Sequence, residues 1–304
     1  MNILSREQQI AVISALTEGL GIRATARITG VNRETVGTLA FRVGRGAAEL
    51  HDRMMVGLRV NRIECDELWA YVGHKRNPQK GTARPSPVKG DQYTYVALAA
   101  STRAIIGYRT GKRTTDTTDD FIQDLRQRVI GVPEISTDGL HFYKNAIRDA
   151  FGKRASHGVI NKTYSVTHLN VTEASRRYSP AAVIAVERVA IAGEPEHIST
   201  SYVERQNLSL RMASKRLARL SNGFSKKLDC HLAAVALYVA FYNFCRTHEA
   251  LRMTPAMALG ITDHVWSIGE LLDAALATQP ITPTPSAPDR RRRFRVIEGG
   301  KNED

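Results

Sequence analysis

The first 45 residues alternate apolar and polar positions with the period of an α-helix. Ser5 and Gln8 form a capping-box pattern ahead of an apolar stripe, which predicts a first helix. A second helix is predicted over about 22–28 and a third over about 33–43, the latter with Asn32 as its N-cap. The pattern therefore predicts a small helical unit at the start of the chain.

Three residues of this unit have the spacing that a helix-turn-helix requires. Ala26 allows two helices to cross closely, Gly30 suits a left-handed turn, and Val36 packs the next helix inward. Residues 1–45 are therefore predicted to form a DNA-binding helix-turn-helix, although any three-helix bundle with a glycine turn has a similar pattern. The side chains offered to DNA would be Arg33, Thr35 and Arg42, next to the cap Asn32.

After a predicted connector over 46–59, the periodicity changes to that of strands. The predicted elements, in order, are strands over 60–72, 93–100 and 104–110, a helix over 116–130, a strand over 134–137 and a helix over 141–151. This order is typical of a ribonuclease-H-like fold. The predicted class is α/β (α+β), with a mixed-sheet catalytic core over 60–275.

The second half of the chain is less regular. Residues 153–200 carry scattered short β-like pieces and are interpreted as an insertion of uncertain structure. The apolar run Leu232–Cys245 is short and contains polar residues, so it predicts a buried helix rather than a membrane span. Residues 276–304 hold four prolines and a block of four arginines, which predicts a flexible basic tail.

The charge of the chain indicates an anionic partner. The 304 residues carry a net charge of +13, and the sequence pI is about 9.9. Nucleic acid is the favoured partner, with a ribosomal or membrane-surface protein as the alternative. The three cysteines are far apart, so neither a zinc finger nor a disulfide framework is expected. The first residues do not resemble a secretory signal, and we expect a cytoplasmic, nucleoid-associated protein without a membrane partner.

Three acidic side chains fall where a predicted strand ends or a predicted helix begins. Asp66 lies on the first core strand, Asp138 follows the fourth, and Glu204 starts a later helix. In a ribonuclease-H-like fold these positions converge. Three carboxylates can bind two divalent ions if one bridges both, and Mg²⁺ prefers such oxygen ligands. The pattern therefore predicts a two-metal phosphodiester site in a basic protein.

The sequence around these carboxylates resembles the bacterial insertion-sequence transposases of the family named for the first-numbered element. The resemblance spans about 63–258 and rests on CDELWAYVG at 65–73, TDG at 137–139 with Tyr143, VERQNLSLR at 203–211, LARL at 217–220, FSKK at 224–227, His231, YNFCRTH at 242–248 and TPA at 254–256. It implies a DDE-type transposase with Asp66, Asp138 and Glu204 as its metal-binding catalytic triad. Such an enzyme cuts DNA at element ends and joins the 3′ hydroxyl to target DNA. The expected cofactor is Mg²⁺, two ions, with Mn²⁺ as a substitute, and the expected assembly on DNA is a homodimer or larger.

Two features depart from the family. Short members carry a cysteine zinc-binding segment ahead of the helix-turn-helix, and this sequence does not. The interval between Asp138 and Glu204 is also much longer than in short members. This longer interval affects the expected local geometry of residues 157–200, but it does not change the identification of Glu204.

Further candidates lie near the triad. Asn207 and Arg211 share the helix face of Glu204 and are predicted to contact DNA or to orient a ligand, with a solvated polar face as the alternative. A basic stretch is predicted to bind phosphates; its members include Lys215, Arg216, Lys226 and Lys227. Glu64 and His231 are possible auxiliary residues. Glu64 could equally pair with an arginine, His231 could be a core histidine, and Glu67 is predicted to point to the other face of the strand in a structural role.

Two other functions remain open on the sequence alone. One is a former transposase that now acts as a DNA-binding regulator, which would have no need of three placed carboxylates. The other is a stand-alone nuclease or integrase of the same fold, which would cut DNA without mobilising its own gene.

Overall fold

The computed structural model describes residues 4–74, 86–165, 183–218 and 222–277. Within these ranges the chain is a mixed α+β protein. The N-terminal elements are α1 (Arg6–Thr17), α2 (Ile22–Thr29), α3 (Arg33–Met54) and the short strand β1 (Leu58–Arg59). The central elements are β2 (Arg62–Val72), β3 (Gly90–Ala99), β4 (Ile105–Gly111), α4 (Thr115–Arg128), β5 (Val129–Ile130), β6 (Glu134–Asp138) and α5 (Phe142–Phe151). The remaining elements are β7 (Ser156–Tyr164), β8 (Val183–Ala192), α6 (Ser201–Ala213), α7 (Leu228–Ala240), α8 (Pro255–Ala258) and α9 (Ile268–Ala277).

The caps at the ends of the N-terminal helices agree with the sequence pattern. Ser5 and Gln8 form the predicted capping box of α1. Gly30 ends α2 in the left-handed conformation, with φ of 70°, and the Asn32 side chain caps α3 by accepting a hydrogen bond from the Glu34 N–H. These caps satisfy helix-end N–H groups and fix the turn between α2 and α3.

The predicted connector over 46–59 is wrong for most of its length, because α3 continues without a break to Met54. Its second half packs against α7 and α9. Gly44 lies directly against the Ala233 backbone and Gly46 against the Ala275 backbone. These two glycines therefore allow close contact between α3 and its neighbouring helices.

The main sheet holds six strands among the described residues, in the order β4-β3-β2-β6-β7-β8. The pairs β4-β3 and β3-β2 are antiparallel, β2-β6 and β6-β7 are parallel, and β7-β8 is antiparallel. The predicted meander of three strands followed by a parallel crossover strand is confirmed. Strand β2 lies inside the sheet, because it pairs with β3 on one side and with β6 on the other.

Side chains of β2 alternate between two helical layers. Ile63 and Cys65 face a cluster formed with α4 and α5, which includes Phe121 and Tyr143. Leu68 and Ala70 face a second cluster formed with α6 and α7; its helical members include Val203, Leu210, Val235 and Val239. The sheet is therefore covered on both faces, and the even-numbered residues of β2 point toward α6.

The interpretation of 153–200 as an insertion is corrected in part. β7 extends the sheet as a parallel neighbour of β6, and β8 pairs with it at the edge. The short β-like pieces therefore belong to the sheet, where β7 shares hydrogen bonds with β6. Residues 166–182 lie outside the described residues, as does the predicted basic tail from residue 278 onward.

The predicted buried helix at Leu232–Cys245 is confirmed. α7 and the π-helical turn Phe241–Cys245 contribute to all three hydrophobic clusters found among the described residues. In the described ranges, Leu228–Cys245 is also the one helix whose length and composition would allow it to cross a membrane, and 61% of that segment is buried inside the protein. The third cluster joins this helix to the N-terminal unit through Leu237 and Val43.

Candidate active site

The register between two parallel strands brings two of the predicted carboxylates together. Cys65 of β2 lies opposite Thr137 of β6. The next residue on each strand is therefore Asp66 beside Asp138, at the point where β6 ends. Beyond that point β2 has no β6 neighbour, so both faces of β2 open toward the same edge.

The third predicted carboxylate arrives on helix α6. Glu204 lies in the first turn of this helix. Glu64 fixes the turn, because its Oε2 accepts hydrogen bonds from the backbone N–H groups of Tyr202 at 2.8 Å and Val203 at 3.0 Å. A carboxylate at a helix N-terminus also interacts favourably with the helix dipole. Burial raises the pKa of Glu64, and these two hydrogen bonds act in the opposite direction.

All three predicted triad residues line one cleft of about 1020 Å³. Its charged side chains are the carboxylates Asp66, Glu67, Asp138 and Glu204 and the cations Arg113, Lys162 and Arg211. One carboxylate oxygen each of Asp66, Glu67 and Asp138 lies within 4.8 Å of the others. Three hard oxygen donors at this separation suit a divalent cation such as Mg²⁺ or Mn²⁺.

Asp66 is held by the residue predicted to orient it. The Asn207 amide donates a hydrogen bond to Asp66 Oδ2 at 2.8 Å. Burial, with the nearby charge of Asp138, raises the pKa of Asp66 to about 6. A buried carboxylate is destabilised as an anion by a second carboxylate beside it, and a bound cation would relieve that repulsion.

Glu67 was not predicted as part of this cleft. It points to the α5 side of the sheet, as expected, yet it borders the same opening as Asp66. Its Oε2 accepts a hydrogen bond from Arg113 at 3.2 Å, while its Oε1 is buried without a well-formed hydrogen bond from the described residues. The buried Tyr143 hydroxyl is close enough to interact with this carboxylate. Burial, with the charge of Asp138, raises the pKa of Glu67 to about 7.

Glu204 stands apart from this cluster of three carboxylates. Its Oε1 accepts hydrogen bonds from the Thr200 hydroxyl at 2.6 Å and from the Lys162 ammonium. Lys162 comes from β7, which the sequence pattern did not identify as a core strand. Glu204 therefore lines the cleft but already has an ion-pair partner. That partner, Lys162, lies on β7, whereas Thr200 lies directly before α6.

The predicted DNA-contacting residues fall into two groups. Arg33, Thr35 and Arg42 are exposed on α3, and Lys215, Lys226 and Lys227 are exposed near α6 and α7. The others are engaged inside the protein. Arg211 donates to the carbonyls of Trp69 and Leu217 at the cleft wall, and Arg216 donates to Ser225 Oγ at 3.2 Å, with burial lowering its pKa.

His231 does not reach the carboxylates. It is fully buried on α7, and its Nδ1 lies 3.0 Å from Ser225 Oγ. Ser225 also accepts from Arg216 and pairs through its backbone with the end of β2. Burial, followed by the charge of Arg216, lowers the pKa of His231 to about 4. The core-histidine alternative is therefore the one that the geometry favours.

Two residues that line the cleft, Glu67 and Lys162, were not predicted, because the sequence marks them only weakly. Glu67 adjoins Asp66, and the alternation rule placed it on the opposite face, which is true but does not exclude it from an edge cleft. Lys162 follows Asp138 by one strand, and recognising β7 as the next parallel strand would have placed it there.

No protein-family model and no curated protein matches this chain. Among solved structures, the chain is similar to piggyBac transposase in a synaptic complex with hairpin DNA, with a TM-score of 0.38 and 11% identity over 89% of this chain and 69% of that chain. It is also similar to the Mos1 transposase in a pre-cleavage transpososome, with a TM-score of 0.19 and 10% identity over 91% of this chain and 80% of that chain. TM-scores of this size do not establish a common fold, so the function proposed below rests on the cleft.

Proposed function

We propose that the protein is a DDE transposase, which cuts DNA at the ends of an insertion sequence and joins the freed 3′ hydroxyl to target DNA. The observation that carries this proposal is the single cleft that Asp66, Asp138 and Glu204 all line. The order of the sheet strands and the position of each carboxylate agree with a ribonuclease-H-like catalytic core over 60–275. A structural protein would have little reason to bury carboxylates that repel each other at the edge of a sheet.

The residues present fit a divalent metal centre. Asp66, Glu67 and Asp138 provide oxygens within 4.8 Å of one another, and Glu204 lines the same cleft. Two bound Mg²⁺ ions would supply activation of the attacking oxygen and stabilisation of the leaving oxygen. Asp66, Asp138 and Glu204 would hold them, and Asn207 would orient Asp66 through the hydrogen bond already formed.

The cationic residues of the cleft suit a phosphodiester substrate. Lys162, Arg113 and Arg211 line it together with the carboxylates. Lys162 pairs with Glu204 in this structure, and it would be available to contact a DNA phosphate where Glu204 holds an ion instead. Residues 1–45 would bind the element end as a helix-turn-helix, with exposed Arg33, Thr35 and Arg42 facing DNA. Joining two ends to one target requires at least a dimer on DNA.

The test is cleavage of a supercoiled plasmid that carries the DNA flanking the gene, with Mg²⁺. Asp66→Asn and Glu204→Gln are expected to lower the rate by more than about 100-fold, the upper end of the loss seen when a partner of a metal ligand is removed. Each substitution removes a charged oxygen ligand and preserves side-chain size.

Glu49→Gln is the matched control, since Glu49 is exposed on α3 and does not line the cleft. Cleavage by either triad variant at the rate of the Glu49→Gln protein would contradict the assignment. A wild-type protein that binds this DNA but never cuts it would be the regulator instead.

A further inference from the structure

We propose that Glu67 is a metal ligand, and that Asp66, Glu67 and Asp138 together form the binding site of the first divalent ion. This inference rests on the proposed function only in the choice of a divalent cation as the occupant. It adds a fourth carboxylate to the three implied by the family resemblance.

Proximity is the first argument. Oxygens of these three side chains approach within 4.8 Å of one another, whereas no described Glu204 oxygen belongs to that group. Glu204 is instead held by Thr200 and Lys162. The third member of the carboxylate cluster is therefore Glu67, and not Glu204 of the predicted triad.

The buried carboxylate of Glu67 is the second argument. The Glu67 side chain is only 3% exposed, and its Oε1 has no well-formed hydrogen bond from the described residues, with the buried Tyr143 hydroxyl as the neutral donor near this carboxylate. A buried carboxylate oxygen that has only a neutral hydroxyl nearby is stabilised when a cation completes its coordination. Arg113 satisfies only Oε2.

Charge balance points the same way. Arg113 lies 3.2 Å from Glu67 and 4.0 Å from Asp138, and it is the one cation paired with the cluster among the described ion pairs. One arginine facing three carboxylates leaves an excess of negative charge in a partly buried place. A divalent ion between Asp66, Glu67 and Asp138 would compensate that excess, while Arg113 would remain on the outer oxygen of Glu67.

Asp66 and Glu67 are consecutive residues of β2, so their side chains lie on opposite faces of the strand but start from adjacent backbone positions at its free edge. Asp138 ends β6 between them, and its own Oδ1 is fixed by the Leu140 N–H at 3.0 Å. The ion would lie across the free edge of β2, with Asp66 approaching from the α6 side and Glu67 from the α5 side.

The experiment is a Mn²⁺ titration of the full-length protein without DNA, followed by electron paramagnetic resonance of free Mn²⁺. Glu67→Gln is expected to weaken the tightest site at least tenfold. Glu67→Asp keeps the charge but withdraws the oxygens by one methylene, and it is expected to weaken the site at least threefold. Arg113→Met should instead strengthen binding, because it removes a nearby positive charge. Glu49→Gln should leave the affinity unchanged.

Equal affinity of the Glu67→Gln and wild-type proteins would overturn the inference. Wild-type affinity in Glu67→Asp combined with weaker binding in Glu67→Gln would also overturn it. Such a result would mean that the charge of Glu67 attracts the ion from a distance and that its oxygens do not coordinate it. Circular dichroism and thermal melting without metal would show that each variant is folded. This inference and the proposed function can fail independently. If the protein binds Mn²⁺ through Glu67 but cuts no DNA, the inference is supported and the proposed function is contradicted.

Discussion

At the residue scale, three acidic side chains of one strand acquire different chemistry from their surroundings. Glu64 accepts hydrogen bonds from two N–H groups of α6, Asp66 accepts one from Asn207, and Glu67 is buried near Arg113 and the Tyr143 hydroxyl. The sequence predicted that Asp66 and Asp138 lie close together, because the order of the predicted elements is typical of a fold in which these two strands are neighbours. It was not sufficient for Glu67, because an alternation rule predicts the face of a sheet and not where a neighbouring strand ends.

His231 illustrates a prediction at the same scale. Its pKa is about 4 in the folded protein, against an ordinary value of 6.5. Between those values the unfolded chain binds a proton that the folded protein does not, so stability is present above pH 6.5 and is lost as the pH falls toward 4. At pH 5 the loss attributable to this group is about 2 kcal/mol.

The measurement is urea unfolding of wild-type protein and His231→Asn at pH 7 and pH 5. Asn keeps an acceptor near the position of Nδ1 for the Ser225 hydroxyl but does not titrate. The difference in unfolding free energy between the two proteins should shift by about 2 kcal/mol in favour of the variant as the pH falls. A difference that stays constant with pH would show that His231 does not titrate with the folding transition.

At the element scale, cap residues were predictable and helix length was not. Ser5, Asn32 and Gly30 mark helix ends through local hydrogen bonds and backbone conformation, which the sequence encodes directly. The extension of α3 to Met54 depends instead on α7 and α9 packing against its glycines. Tertiary contact of this kind overrides the low helix propensity of glycine.

Two glycines of α3 provide a matched pair for this interpretation. A Cβ at Gly46 would overlap the Ala275 backbone, so Gly46→Ala should destabilise the protein by about 1–3 kcal/mol. A Cβ at Gly37 would meet only Ile22 Cδ1, at 3.9 Å, so Gly37→Ala should stabilise it by about 0.5–1 kcal/mol. Urea unfolding of both variants is the measurement. Effects of the same sign in both would contradict the packing account of α3.

At the scale of the whole molecule, the N-terminal helices and the carboxylate cleft share one framework. Leu237 of α7 packs against the N-terminal unit, while Val235 and Val239 of the same helix pack beneath the sheet near α6. The sequence indicated two units separated by a connector, because a continuous helix cannot be distinguished from a linker until its partners are known. The net charge of +13 is consistent with an anionic partner such as DNA.

The most direct test of the central claim is a strand-joining assay. Pre-cut DNA duplexes ending at the borders of the gene are incubated with a supercoiled target plasmid, Mg²⁺ and either wild-type protein or Asp138→Asn. The account predicts that wild-type protein joins the 3′ ends covalently to the plasmid and that Asp138→Asn binds the duplexes without joining them. Nicking of the plasmid by the wild-type protein without joining would indicate a nuclease, and joining by Asp138→Asn at the wild-type rate would contradict the role assigned to the carboxylate cleft.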